Sequence, residues 1–98
     1  MAYNRLMPND KELYRRIDEV AHYLWDPIGV SGVPEARDEY QSYVPQLFSR
    51  TKIGKVDGII DYMQWVVTDQ MGMALDALKA KQAAEVMVAW KEAIDERS

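Results

Sequence analysis

Apolar residues recur every three or four positions along most of the chain, which is the spacing of amphipathic α-helices. Four such stretches predict helices at about residues 10–25, from 34 through 48, 55–71 and 76–96. The predicted inward positions are Leu13, Ile17, Val20 and Leu24; Ala36, Tyr40, Tyr43, Val44, Leu47 and Phe48; Val56, Ile59, Ile60, Met63 and Val67; and Ala83, Val86, Met87, Trp90 and Ile94. The pattern therefore predicts an all-α fold, a compact bundle of about four helices.

Prolines and polar residues indicate where these helices begin and end. Asn9 and Glu12 have the spacing of a capping box at the start of the first helix. Pro27 ends this helix, because the residue before a proline is disfavoured in the α conformation. Pro45 lies inside the second apolar pattern and predicts a kink or a split there. We expect residues 50–55 to connect the second helix to the third.

A corner rich in proline and glycine separates the first two helices and carries the most distinctive segment of the chain. Its turn comprises Trp25, Asp26, Pro27, Ile28 and Gly29. We expect the Asp26 carboxylate to accept hydrogen bonds from backbone N–H groups of the turn. Ile28 would plug the end of the core, and Gly29 permits a positive φ. Each residue thus has a structural role in the predicted corner.

The same segment resembles the signature of a small bacterial family of helical proteins with no assigned function. That signature is a Trp-Asp-Pro-Ile-Gly turn, here residues 25–29, followed by an acidic helix with Tyr-x-x-Tyr spacing. The matching residues of the helix are Glu39, Tyr40 and Tyr43, and the likeness covers about residues 12–71. The resemblance implies an all-α fold. It implies no reaction, because the family offers no catalytic residue to transfer.

Composition and charge restrict the classes of function. The 98 residues suit one helical domain over 1–98, with residues 1–8 as an N-terminal arm, and no cysteine is present for a disulfide or a thiolate metal site. With 12 basic and 16 acidic residues the net charge is −4, and the basic residues alternate with acidic ones. This pattern disfavours nucleic-acid binding. The absence of an export signal and of a membrane-spanning apolar run favours a cytoplasmic protein outside the membrane.

The residues offer little support for catalysis. His22 is the only histidine, with Asp18 and Asp26 four residues on either side. That spacing suits acid–base chemistry, but it is equally the spacing of ordinary surface pairs. On a helical wheel His22 falls opposite the apolar stripe, and no nucleophile, nucleotide or metal motif accompanies it. The sequence therefore predicts a non-enzyme with no catalytic residue, metal or cofactor.

Trp65 departs from the pattern of the third helix. At 100° per residue it falls nearly opposite the apolar stripe, among Asp61 and Asp69, with Tyr62 between it and the core. A large aromatic side chain on a polar face needs a cover. The N-terminal arm, the corner or another protein chain would each provide one.

The function that these features favour is protein–protein contact by a small acidic helical domain, for example as an antagonist or immunity-type partner of a basic protein. The predicted contact residues are Trp65, Tyr62, Asp61 and Asp69, with the acidic start of the second helix, Glu35, Asp38 and Glu39, as a second surface. One alternative is a catalytic or small-molecule-binding bundle that uses His22, Asp18 and Asp26. Another is a structural protein that forms homo-oligomers.

Overall fold

A computed structural model of the chain describes residues 7–26, 29 and 40–97. Its four α-helices are α1 (Pro8–Val20), α2 (Val44–Ile53), α3 (Val56–Trp65) and α4 (Ala77–Arg97). π-Helical turns continue α1 through Ala21–Trp25 and α3 through Val66–Gln70, and a 3₁₀ turn, Gln41–Tyr43, precedes α2. The predicted all-α bundle is confirmed.

The helices enclose one core. α4 packs against α1, α2 and α3, and α2 also packs against α1 and α3. The radius of gyration is 12.9 Å, close to the value of about 13 Å for a compact domain of this length. Within the described residues, no helix is long and apolar enough to cross a membrane. The buried apolar residues are Leu13, Ile17, Val20, Ala21, Trp25, Tyr40, Val44, Leu47, Phe48, Ile59, Met63, Val66, Val67, Ala80, Ala83, Ala84, Met87 and Ile94.

The start of α1 differs from the prediction. The helix begins at Pro8, and Met7 precedes it without a side-chain capping bond. Asn9 therefore lies inside the first turn and does not cap the helix, because Pro8 already fits the first helical position with its fixed φ. Pro8, predicted as the last residue of the N-terminal arm, belongs to α1. Residues 1–6 of the predicted arm lie outside the described residues.

The end of the first helical segment corrects two further expectations. Its last turn is π-helical, with the Asp26 N–H bonded to the Ala21 carbonyl at 3.0 Å. The wider turn rotates the stripe, so Trp25 is buried and Leu24 is 45% exposed. His22, expected opposite the core, is only 2% exposed. Tyr40 returns beside it, with ring centroids 6.4 Å apart, so the helix is covered on a second face that one periodic stripe does not reveal.

The second helical segment is split at Pro45, as the sequence predicts. A 3₁₀ turn ends at Tyr43, and α2 starts at Val44 with Pro45 in its first turn. A proline is tolerated there because its missing N–H would have no partner in the helix. Tyr43 is only half-buried. The start predicted near residue 34, with Ala36, lies outside the described residues.

The link between α2 and α3 is shorter than predicted. α2 continues through Ile53, so only Gly54 and Lys55 separate the two helices. Gly54 has a φ of 86° and its N–H bonds to the Arg50 carbonyl at 3.4 Å. A glycine at this position ends a helix without the steric cost that other residues pay in the left-handed region. Residues 50–53 thus belong to α2 and not to a connector.

The third and fourth helices bury most of the predicted positions. Ile60 and Val56 of α3 are half-buried, and Val66 is buried in addition because it begins a π-helical turn. Asp76 caps α4, accepting a 3.1 Å hydrogen bond from the Lys79 N–H at its Oδ1 atom. Trp90 is half-buried, and the Arg16 guanidinium covers its ring at 4.3 Å.

Two glycines give a matched stability prediction. A Cβ built on Gly58, inside α3, meets nothing within 4 Å, whereas Gly54 holds a positive φ. We expect Gly58→Ala to raise the free energy of unfolding by about 0.5–1 kcal/mol, because alanine loses less backbone entropy in a helix. Gly54→Ala should lower it by about 1 kcal/mol or more. Urea unfolding followed by circular dichroism measures both; a loss of stability in Gly58→Ala would contradict the first.

Candidate functional site: a groove between α2 and α3

Trp65 ends α3 as a partly exposed aromatic side chain. Its exposed fraction is 46%. The ring stacks on Tyr62, three residues earlier, with 5.8 Å between the ring centroids and 25° between the ring planes. The helical spacing places both rings on one face of α3. Together they form an aromatic platform at the surface.

Arg50 reaches from α2 to hold this platform. Its Nη1 atom donates a 2.8 Å hydrogen bond to the Gly58 carbonyl oxygen. The guanidinium carbon lies 5.3 Å from the centroid of the Tyr62 ring, within the range of a cation–π interaction. The Arg50 guanidinium, the Tyr62 ring and the Trp65 ring therefore lie next to one another along the surface of the two helices. Arg50 contacts Tyr62 from α2.

A continuous depression, here called the α2–α3 groove, runs beside the platform. One part has a volume of about 700 Å³ and the adjoining part about 560 Å³. Gln46 and Arg50 border both parts, so the two join along α2. The first part is lined by Gln46, Ser49, Arg50, Ile53, Lys55, Val56, Asp57 and Gly58, and the second by Gln46, Arg50, Asp61, Tyr62 and Trp65.

Acidic residues follow the α3 side of the groove. Asp57, Asp61 and Asp69 are exposed and, with Trp65, are spaced four residues apart. Asp69 accepts a 3.0 Å hydrogen bond from the Thr68 hydroxyl. Asp57 and Asp61 form no ion pair or hydrogen bond with another residue that the structure describes. Their carboxylates are therefore available to an external cation.

Burial and charge act together on the Tyr62 hydroxyl. Burial raises the pKa of Tyr62 above its ordinary value of 10.0, and the neighbouring Tyr43 raises the pKa further. The Arg50 guanidinium lowers it, because a positive charge favours the phenolate. The net direction is upward, so Tyr62 remains a neutral hydrogen-bonding group over the physiological range.

Sequence reasoning found one side of this groove and missed the other. It identified Trp65, Tyr62, Asp61 and Asp69 on α3. It missed Gln46, Arg50 and Ile53 of α2, the last two of which lie in the connector predicted at residues 50–55. The signal that extends the helix is the i, i+3, i+4, i+7 spacing of the buried residues 44, 47, 48 and 51, the last of which lies in the predicted connector. The second predicted surface, Glu35, Asp38 and Glu39, lies outside the described residues.

The corner forms a separate polar cluster. Asp26 is 5% exposed, with a φ of 32°, and its Oδ1 atom accepts a 2.7 Å hydrogen bond from the Tyr40 hydroxyl. Most of the turn residues predicted as backbone donors lie outside the described residues, so that expectation stays a prediction. The Asp26 carbonyl accepts bonds from Lys79 Nζ at 2.9 Å and from the Gly29 N–H at 3.2 Å. Gly29 has the predicted positive φ, 78°, and residues 27 and 28 lie outside the described residues.

His22, Asp18 and Asp26 do not line a common cavity in the described part of the chain. Asp18 borders a cavity of about 310 Å³ with Tyr14, Gln41 and Val44. His22 is buried, and its Nδ1 atom has no hydrogen-bond partner among the described residues. Trp25 and Tyr40 are adjacent, with ring centroids 5.8 Å apart.

The described residues contain no group of three histidine or acidic side chains placed to hold a metal ion. No protein-family model, curated protein or solved structure matches the chain. The resemblance to the helical bacterial family therefore stays a prediction, and the function has to be argued from the geometry.

The buried hydrogen bond between Tyr40 and Asp26 predicts that removing one hydroxyl group lowers the free energy of unfolding. Tyr40→Phe leaves a buried carboxylate oxygen without the hydroxyl donor, so we expect a loss of about 1.5–3 kcal/mol in the free energy of unfolding. Tyr43→Phe, at a half-buried tyrosine nearby, should change it by less than about 0.5 kcal/mol. Chemical unfolding of both variants measures the difference; equal values would show that the bond contributes nothing specific.

The raised pKa of Tyr62 predicts that the free energy of unfolding depends on pH. A pKa raised by folding means that the folded state holds the proton more tightly than the unfolded state. The resulting stability is complete below pH 10.0 and is lost as the pH rises through the higher pKa of the folded state. Absorbance titration of tyrosinate should show that Tyr62→Phe removes a late-ionising group. In Arg50→Gln the group should ionise still later; an earlier ionisation would contradict the contact.

Proposed function

We propose that this chain acts without catalysis, by binding another protein through the α2–α3 groove, with Trp65 and Tyr62 as the anchor. The observation that carries the proposal is the half-exposed Trp65, stacked on Tyr62 at the border of the groove. Tryptophan, tyrosine and arginine are the side chains that most often contribute the binding energy of protein interfaces. All three meet here within two helices.

The rigidity of the platform supports this proposal. Binding a partner costs conformational entropy for every flexible side chain that it orders. Tyr62 is already held between the guanidinium of Arg50 and the ring of Trp65, at 5.3 and 5.8 Å. The anchor is therefore largely oriented before a partner arrives, and more of the contact energy remains available for affinity.

The chemistry of the groove supports binding and not turnover. Its lining combines apolar and amide side chains with exposed carboxylates, and its arginine is occupied by the Gly58 carbonyl and the Tyr62 ring. The corner is the weaker candidate for a ligand site. His22 has an unpartnered Nδ1 atom, but Asp18 borders a different cavity and the Asp26 carboxylate bonds to Tyr40. One concrete role for an acidic binding protein is antagonism of a basic partner.

The proposal predicts a partner that depends on Trp65. Tagged wild-type protein and Trp65→Ala would be used in quantitative pull-downs from a lysate of the native host, with circular dichroism to verify folding. We expect a protein that wild type enriches and Trp65→Ala loses at least about tenfold, the effect of removing one interface anchor of about 1.4 kcal/mol or more.

Leu78→Ala is the matched control, because Leu78 is an apolar residue of α4 that is 66% exposed. Its pull-down should equal that of wild type. Equal loss of the partner in both variants would indicate non-specific hydrophobic binding and contradict the proposal. A lysate with no Trp65-dependent partner would also contradict it, and a dimer mass in light scattering would then favour self-association.

A further inference from the structure

The proposed function does not specify which kind of partner surface binds. The shape and charge of the α2–α3 groove indicate the chemistry of that surface. Resting on that proposed function, we propose that the groove receives a basic amphipathic helix of the partner protein. The apolar stripe of this helix would lie along the groove, and its lysine or arginine side chains would face α3.

The walls of the groove have the spacing that helix binding requires. On α2 the lining residues are 46, 49, 50 and 53, which follow the i, i+3, i+4, i+7 pattern of one helix face. On α3 they are 56 and 57 at the start of the helix, and then 58, 61, 62 and 65, which follow the same pattern. Each wall therefore extends over about two turns, or roughly 10 Å. A helix bound in a groove presents apolar anchors at the same spacing.

The glycine in the groove is unexplained by internal packing. Gly58 lies in the first turn of α3, and a Cβ at this position would meet nothing within 4 Å. Its carbonyl bonds to Arg50, which any residue would allow. A glycine inside a helix is unfavourable relative to alanine. Its benefit is space, because a side chain at Gly58 would occupy the groove.

Apolar side chains lie at both ends of the groove. Ile53, at the end of α2, is 70% exposed, and Val56 lies across the two-residue turn from it. Trp65 borders the opposite end. A single small ligand at Trp65 would leave Ile53 in water, whereas an amphipathic helix covers both ends. The extent of the apolar lining thus favours an elongated occupant.

The charges define the side of the helix that faces α3. Asp57 and Asp61 line this wall and Asp69 continues it beyond Trp65, while the α2 wall carries the uncharged Gln46 and Ser49. Arg50 keeps its positive charge but lies against the Gly58 carbonyl and the Tyr62 ring, and Lys55 lies at the turn end of the groove. Basic side chains four residues apart on the occupant would therefore pair with carboxylates at the same spacing. The carboxylates of the α3 wall would repel an acidic helix.

The test uses the full chain, labelled with ¹⁵N, and an 18-residue leucine–lysine peptide with leucine at helical spacing. Titration at low salt should shift backbone amide signals of residues 46–65. The double variant Asp57→Lys/Asp61→Lys should weaken binding about tenfold, since two attractive pairs become repulsive. Glu85→Lys/Glu92→Lys on α4 makes the same change in net charge and should weaken binding much less. The corresponding leucine–glutamate peptide should not bind.

A second pair of variants tests the space above Gly58. Gly58→Leu fills the groove and should abolish the amide shifts, whereas Gln82→Leu adds the same side chain to an exposed position of α4 and should preserve them. Circular dichroism and urea unfolding establish that both variants fold. Undiminished peptide binding by folded Gly58→Leu would overturn the proposal.

Other outcomes separate this inference from the proposed function. Equal weakening by the two charge variants, or binding of the acidic peptide, would overturn the basic helix as the occupant. Concentration-dependent shifts of residues 46–65 without peptide would assign the groove to a second copy of the chain and overturn it too. A pull-down partner that depends on Trp65 but tolerates Asp57→Lys/Asp61→Lys would overturn the occupant alone, leaving the proposed function in place.

Discussion

The two-residue turn between α2 and α3 is the constraint on which the candidate site depends. Gly54 ends α2 in the left-handed conformation, at a φ of 86°, and Lys55 leads directly into Val56. So short a link holds the two helices side by side from their first contact onward. Arg50 then bridges them through the Gly58 carbonyl and the Tyr62 ring. The groove is the space that remains between two helices held in this way.

The corner between the first two helical segments stabilises a buried carboxylate. A buried carboxylate is costly unless it has hydrogen-bond donors. Tyr40 supplies one to Asp26 at 2.7 Å, and Lys79 of α4 bonds to the carbonyl of the same residue at 2.9 Å. Asp26 therefore joins the end of the first helical segment to both the start of the second and the last helix.

The groove and the corner also differ in how they treat aromatic side chains. Trp25 and Tyr40 pack together and are each 2% exposed, so their surface contributes to folding. Trp65 stacks on Tyr62 with a similar spacing but remains 46% exposed. Exposed aromatic area gains nothing for folding, yet its burial by a partner would be favourable. The uneven distribution of aromatic burial therefore supports the proposal that the α2–α3 face binds another molecule.

Local sequence determined the helices, the split at Pro45 and the position of Trp65 away from the core, because each follows from short-range periodicity and backbone geometry. Periodicity also predicted the buried positions Ile17, Met63 and Met87. It failed at Leu24 and His22, where a π-helical turn and the returning Tyr40 altered which faces are covered. Periodicity did not predict the α2 wall of the groove either, because it assigned the last residues of α2, through Ile53, to a connector. Only the tertiary structure decided that Arg50, Gly58 and Tyr62 meet, because contacts between helices depend on how the helices are placed and not on the spacing within either one.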